Sequence, residues 1–210
     1  MDTCQTCDEF QAKITGLSNG PEKNELIAEH ELHLRKAESM KDMKKRDIQE
    51  AVKSNGAKQV LVFDLQKTLP TPMLTTGVAY YKRQLWVYNL GVHDEVINTG
   101  HMYMWGEHTA SRGSQEIASC LLYHIRNCLP PTTKEVILYS DSCGGQNRNI
   151  KMTLMLSYIV QKTEIQEIQQ KLLLPGHSFS TCDQDFGIIE REKNTILIFF
   201  FQMTGVRWLK

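Results

Sequence analysis

The chain has little of several things at once. It has no net charge, because 24 Lys and Arg residues offset 24 Asp and Glu. That balance excludes a uniformly basic nucleic-acid coat and leaves room for a local basic groove. No apolar run reaches the roughly 18 residues that cross a bilayer, so no membrane partner is expected. The opening residues, Met1 to Glu9, lack the basic and apolar regions of a signal peptide, so an intracellular location is expected. In that setting the six cysteines (4, 7, 120, 128, 143 and 182) are expected as thiols or metal ligands rather than a disulfide framework. Internal repeats and low-complexity tracts are missing too. What is present, 41% hydrophobic and 23% charged residues, is ordinary for a globular chain and argues against wholesale disorder.

Three stretches are legible. Residues 1–55 are charged and lack aromatics after Phe10. Pro21 follows Ser18-Asn19-Gly20, a suitable first position for a helix. From Glu22 to Val52 there is no Pro or Gly, and the apolar positions (Leu26, Ile27, Leu34, Ala37, Met40, Ile48, Val52) form only a narrow stripe. This predicts a long solvated helix, an arm for partner docking or self-association, ended by the turn Ser54-Asn55-Gly56.

Residues 57–193 carry the expected core, with residues 194–210 as an atypical tail. Gln59-Val-Leu-Val-Phe-Asp64 and Glu135-Val-Ile-Leu-Tyr-Ser140 are continuous apolar runs, the pattern of strands buried on both faces. Between them Val78–Asn89 and Val96–Trp105 read as a β-meander turning at Gly91-Val-His-Asp94. Ile117, Leu121, Leu122 and Ile125 recur at helical spacing, and Pro130-Pro131 halts that helix. A helix over 149–161, a short strand at 172–174 and a last amphipathic helix follow. The order β, β, β, α, β, α, β, α predicts an α/β fold, a mixed sheet flanked by helices. The tail run Ile196-Leu-Ile-Phe-Phe-Phe201 reads as a strand or as sequence that has left its reading frame.

Chemistry concentrates at strand ends. Asp64 closes one apolar strand and Asp141 follows another. A carboxylate there is costly to desolvate, and two on neighbouring strands repel unless a cation joins them. Oxygen ligands suit Mg²⁺ or Mn²⁺, and a two-metal site serves phosphodiester transfer. A third carboxylate is expected from the last helix, where Asp183, Asp185 and Glu190 lie. The plainer reading is that each Asp caps a turn or helix.

Several long motifs resemble a known group. Phe63-Asp-Leu-Gln-Lys-Thr-Leu-Pro-Thr-Pro72, Tyr88-Asn-Leu-Gly-Val-His-Asp94, Tyr139-Ser-Asp-Ser-Cys-Gly-Gly-Gln-Asn-Arg-Asn149, Pro175-Gly-His-Ser178 and Asp183-Gln-Asp-Phe-Gly-Ile-Ile-Glu190 are similar to those of transposable-element-derived proteins with a ribonuclease H-like domain of the DDE transposase and integrase type. The resemblance implies a divalent-metal-dependent nuclease or polynucleotidyl transferase with DNA as partner. It implies Asp64, Asp141 and Glu190 as metal ligands, with Asp185 as substitute. Gln146, Asn147, Arg148 and His177 would touch nucleic acid, His177 serving a phosphate or a metal. Nuclear location would follow, and Lys44-Lys45-Arg46 reads either as a nuclear signal or as part of a solvated helix face.

Cys4-x₂-Cys7 supplies half of a tetrahedral zinc site, and His30 and His33, three apart on one helix face, would supply the rest. Reduced thiols and solvated histidines are the alternative. The other histidines and cysteines form no ligand spacing. Two further functional readings stand. Val60-Leu-Val-Phe-Asp-Leu-Gln-Lys-Thr68 resembles the first motif of haloacid dehalogenase phosphatases, with Gln66 where a second acid belongs. A domesticated, non-catalytic DNA- or protein-binding module is the other.

Overall fold

The structure is a computed structural model that describes the backbone of residues 4–71, 84–174, 176–177 and 180–204, and side chains within those ranges as far as residue 192. Helices α1 (Gln5–Gly16) and α2 (Pro21–Lys53) precede strands β1 (Lys58–Leu65), β2 (Leu69–Thr71), β3 (Leu85–Asp94) and β4 (Thr99–Gly106). Then come α3 (Ser114–Asn127), β5 (Glu135–Ser140), α4 (Ile150–Lys162), β6 (Glu167–Leu172) and α5 (Thr181–Thr204). The chain is an α/β protein with one mixed sheet flanked by helices.

Strands β1, β3 and β4 form an antiparallel meander, and β5 and β6 add in parallel beyond β1, giving the order β4-β3-β1-β5-β6. Strand β2 continues along β3 where β1 stops, pairing Leu69 with Val87. Both central strands are buried along their apolar runs, 59–63 and 136–140, with Lys58, Asp64 and Glu135 half-buried. Their odd and even residues feed two cores. Leu61, Phe63 and Leu138 pack with Leu121, Ile125, Met152 and Ile159, under α3 and α4. On the other face Val60, Val62, Ile137 and Tyr139 pack with Ala51 of α2 and with Cys182, Phe186 and Ile189 of α5. The result is a sheet between two helical layers.

Several features differ from the sequence reading. The strand expected at 172–174 spans Glu167–Leu172 instead. Helix α2 is no free arm: its last turns cover the sheet, with Ala51 fully buried and Val52, on the expected stripe, 56% exposed. Asp47 of the same helix is buried because it accepts from Tyr139 Oη at 2.5 Å and pairs with Lys171 Nζ at 2.6 Å. The meander turns at residues 95–98 rather than at 91–94; Asn98 takes the left-handed conformation (φ 52°), while Gly91 lies inside β3. Gly91 is there for close approach: a Cβ on it would lie 2.7 Å from the Phe186 ring. At the C-terminal end the backbone of α5 runs through residues 194–204 as helix, so the expected strand and the boundary at 193 both fall within one element. The expected strand residues 78–83 and the tail after 204 lie outside the described residues.

Candidate functional site

The parallel pairing of β1 with β5 ends at Val62 opposite Tyr139. Two residues further along the chain stand Asp64, still within β1, and Asp141, the residue just past β5, on the same face of the sheet because side chains alternate. Asp64 sits opposite Gly91 of β3, and its Oδ1 accepts from Leu65 N at 2.7 Å. Burial pushes the Asp64 carboxyl up to about 6, helped by the charges of Asp141 and Asp183 and opposed by the Leu65 amide and by Arg112. Among the described residues neither carboxylate has an ion-pair partner.

Asp141 is held from its own loop. Its Oδ1 accepts from Cys143 N at 3.3 Å and from Asn147 Nδ2, in a short contact. Asn147 is itself 3% exposed, and its carbonyl accepts from Gln170 Nε2 of β6 at 2.9 Å. Asn147, read from the resemblance as a nucleic-acid contact, is thus a buried brace for the second acid. Gln146 offers its carbonyl to Asn149 Nδ2 at 3.0 Å, and Asn149 caps α4 by accepting from Met152 N. Arg148 is exposed at the rim of this loop.

The acids of α5 divide. Ser180 Oγ accepts from Cys182 N at 3.2 Å, and Asp183 Oδ2 accepts from Ser180 N at 3.3 Å, which is a reciprocal helix-start cap. Asp185 does not join the strand-end pair: its Oδ2 lies 2.8 Å from His93 Nδ1, and His93 Nε2 faces Asn98 Oδ1 at 3.2 Å. Glu190 is exposed and seven residues beyond Asp183, so the two share one helix face roughly 10 Å apart. Phe186 of α5 lies against Gly91, at the level of Asp64. Among the described residues no third carboxylate gathers with Asp64 and Asp141 within 4.8 Å, and the α5 acid whose charge reaches Asp64 is Asp183 rather than Glu190.

A second constellation lies at the start of α5. Cys4 Sγ is 3.3 Å from His33 Nε2, Cys7 Sγ is 3.3 Å from His177 Nε2, and the two Nε2 atoms are 3.0 Å apart. All four ligand atoms lie within 4.8 Å of one another. His177, expected at a phosphate or a metal, joins the cysteine pair here. His30, expected as a ligand, does not: it stacks on Phe10 with ring centroids 5.4 Å apart, and its buried Nε2 has no hydrogen-bond partner among the described residues. Burial lowers the His177 pKa, with His33 and Lys41 adding to the shift, and burial raises that of Cys7, with Cys4 adding to it. No local spacing links residue 33 to residue 177, so their meeting was not readable from a ligand motif.

A third group was also missed. His101 of β4 and His124 and Cys128 from α3 and its cap bring three donor atoms within 4.8 Å. Tyr103 Oη lies 2.8 Å from His124 Nδ1, and burial drives His124 down to about 4, with His101 adding to the shift.

A family model described as a domain of unknown function (DUF7869) matches residues 79–197, more than half of the chain, and the chain belongs to that family. The match includes Asp141, His177 and Glu190 and starts after Asp64. Comparison with curated proteins finds no match, and neither does comparison with solved structures. Among the described residues no helix is long and apolar enough to cross a membrane.

Proposed function

We propose that this DUF7869 member is a transposable-element-derived, divalent-metal-dependent nuclease or polynucleotidyl transferase of the DDE type that acts on DNA. The observation that carries the reading is the pair Asp64 and Asp141, side by side at the ends of adjacent parallel strands. The sheet order β4-β3-β1-β5-β6, antiparallel then parallel, supports a ribonuclease H-like arrangement.

The chemistry of the Asp64 and Asp141 carboxylates suits a hard cation. Asp64 is desolvated, its carboxylate has a single hydrogen bond among the described residues, to the amide that follows it, and its nearest titratable influence is another carboxylate. Mg²⁺ or Mn²⁺ between such oxygens would supply charge neutralisation and activation of a water or hydroxyl for phosphodiester displacement. Asp64 and Asp141 would hold the cation. Asn147, braced by Gln170, would fix the carboxylate plane of Asp141. Glu190 would complete the set, since Asp183 is engaged in capping α5 and Asp185 is engaged with His93. The closeness of Phe186 to Gly91 would hold α5 against the sheet beside Asp64, and Glu190 would have to turn inward from its exposed position to reach the cation. Exposed Arg148 would meet the phosphate backbone beside Asp141.

The phosphatase reading loses ground. Gln66, at its acid position, is buried and accepts from Asn89 Nδ2 at 2.8 Å through Oε1, a core contact. The test is Mg²⁺- or Mn²⁺-dependent nicking or joining of DNA by the purified chain. Asp64→Asn, Asp141→Asn and Glu190→Gln should each abolish it, with Asp185→Asn retaining activity. Equal activity in the wild type and Asp64→Asn would overturn the proposal, and metal-independent DNA binding without nicking would favour the non-catalytic module.

A further inference from the structure

We infer that Cys4, Cys7, His33 and His177 hold a structural zinc ion that fastens the N-terminal helices to the loop leading into α5. Zinc bonds of about 2.3 Å to sulfur and 2.0–2.1 Å to nitrogen, at tetrahedral angles, place ligand atoms roughly 3.3–3.8 Å apart. The separations of 3.3, 3.3 and 3.0 Å, with all four atoms inside 4.8 Å, lie close to that shell. Two imidazole Nε2 atoms facing each other and two thiols make a poor hydrogen-bond cluster, because the lone pairs converge and few protons are available to share. A cation resolves this. Two thiolates on Zn²⁺ give a neutral centre, so no net charge is left in the half-buried site.

The set contains four protein donors and no carboxylate, which is the composition of a closed structural centre rather than one that keeps a position open for substrate. Its neighbourhood is built for close contact. Gly176 has φ +74°, and a Cβ there would collide with the Cys4 backbone, so the loop carrying His177 is seated directly on the residue that begins α1. Cys4 is only 6% exposed. Helix α1 buries none of its twelve residues, so apolar packing does little to hold it. A metal bonded to Cys4 and Cys7 supplies the missing anchor.

The ligand residues come from four places: the cap of α1, its first turn, the middle of α2, and the Gly176-His177 turn ahead of α5. The inference is independent of the strand-end carboxylates and of any activity they confer. Its functional consequence is mechanical, since the same loop starts the helix that carries Asp183 and Glu190.

The test uses the full chain purified without chelator. Elemental analysis by mass spectrometry should find one zinc per chain bound at this centre, and cobalt replacement should give the visible absorption of a tetrahedral thiolate site. Cys7→Ser and His177→Ala should each lose that equivalent, while His30→Ala keeps it. Because a variant can fail to fold, the unaltered chain supplies a second reading. Alkylation followed by peptide mapping should show Cys4 and Cys7 protected until a chelator is added, whereas exposed Cys128 and Cys143 react throughout. A wild-type chain with no zinc above background would overturn the inference. So would zinc lost in His30→Ala and kept in His177→Ala, or Cys4 and Cys7 reacting equally with and without chelator.

Discussion

Replacing Asp64 by asparagine removes a buried charge while keeping the shape of the side chain, so the sign of its effect separates a cation site from an ordinary cap. Burial pushes the native carboxyl up to about 6, from the 3.8 of the unfolded chain. At about 1.4 kcal/mol per tenfold change in affinity, that difference corresponds to a ceiling of about 3 kcal/mol. Partial solvent access reduces it, and about 1–3 kcal/mol is expected. The direction follows from linkage. The native state holds this proton more tightly than the unfolded chain, so stability is greatest below the unfolded value and is lost as pH rises from 3.8 through 6. At pH 7, without divalent cation, Asp64→Asn should therefore be more stable than wild type. For a chain of this size the gain corresponds to roughly 3–10 °C in melting temperature. The two proteins should converge near pH 4. Millimolar Mn²⁺ should raise the wild type and leave the variant where it was, because only the native carboxylate pair binds the ion. Urea unfolding followed by circular dichroism across pH 4–8, with and without Mn²⁺, makes the measurement. A variant less stable than wild type in metal-free buffer at pH 7 would refute the reasoning, since it would mean that the Asp64 charge is already compensated.

Buried His124 should act in the opposite sense: held neutral near 4 against 6.5, it contributes stability at neutral pH that is lost as pH falls through 6.5 and levels off below about 4, and His124→Gln should flatten that limb of the profile. Gly91→Ala should cost about 1–3 kcal/mol in urea unfolding, because its Cβ would meet the Phe186 ring; a change below about 0.5 kcal/mol would show that α5 yields easily. Asp47→Ala should cost about 3–5 kcal/mol, since it leaves Lys171 and Tyr139 Oη without their acceptor, and adding Lys171→Met should recover part of the loss. Equal stability of the single and double variants would contradict that account.

Much of the sheet was legible because burial on both faces writes itself as apolar runs, as in β1 and β5. Long-range placement was not. On α2 the expected stripe positions Ala37 and Ile48 do face inward, but in the last turn Ala51 meets the sheet in place of Val52; small residues carry little hydropathy signal, and close packing selects them. Gly91 looked like a turn because glycine permits turns, and only the ring of Phe186 reveals that it permits contact instead. His30 and His33 are equivalent by spacing. What separates them is Phe10, which takes His30, and His177, which arrives from the far end of the chain to meet His33. Among the acids of α5, Asp185 was drawn off by His93, a partner on β3 that no local pattern announces. Asp64 and Asp141 were visible as acids at strand ends, and the parallel register of β1 and β5 is what makes them neighbours.

The most direct test of the central proposal is a crystal of the full chain soaked in Mn²⁺ and measured at the manganese absorption edge. An anomalous peak bridging the Asp64 and Asp141 carboxylates, at about 2.2 Å from an oxygen of each and absent in Asp64→Asn, is the predicted result. Fully ordered carboxylates with no peak between them, or one of them turned into an arginine ion pair, would contradict it.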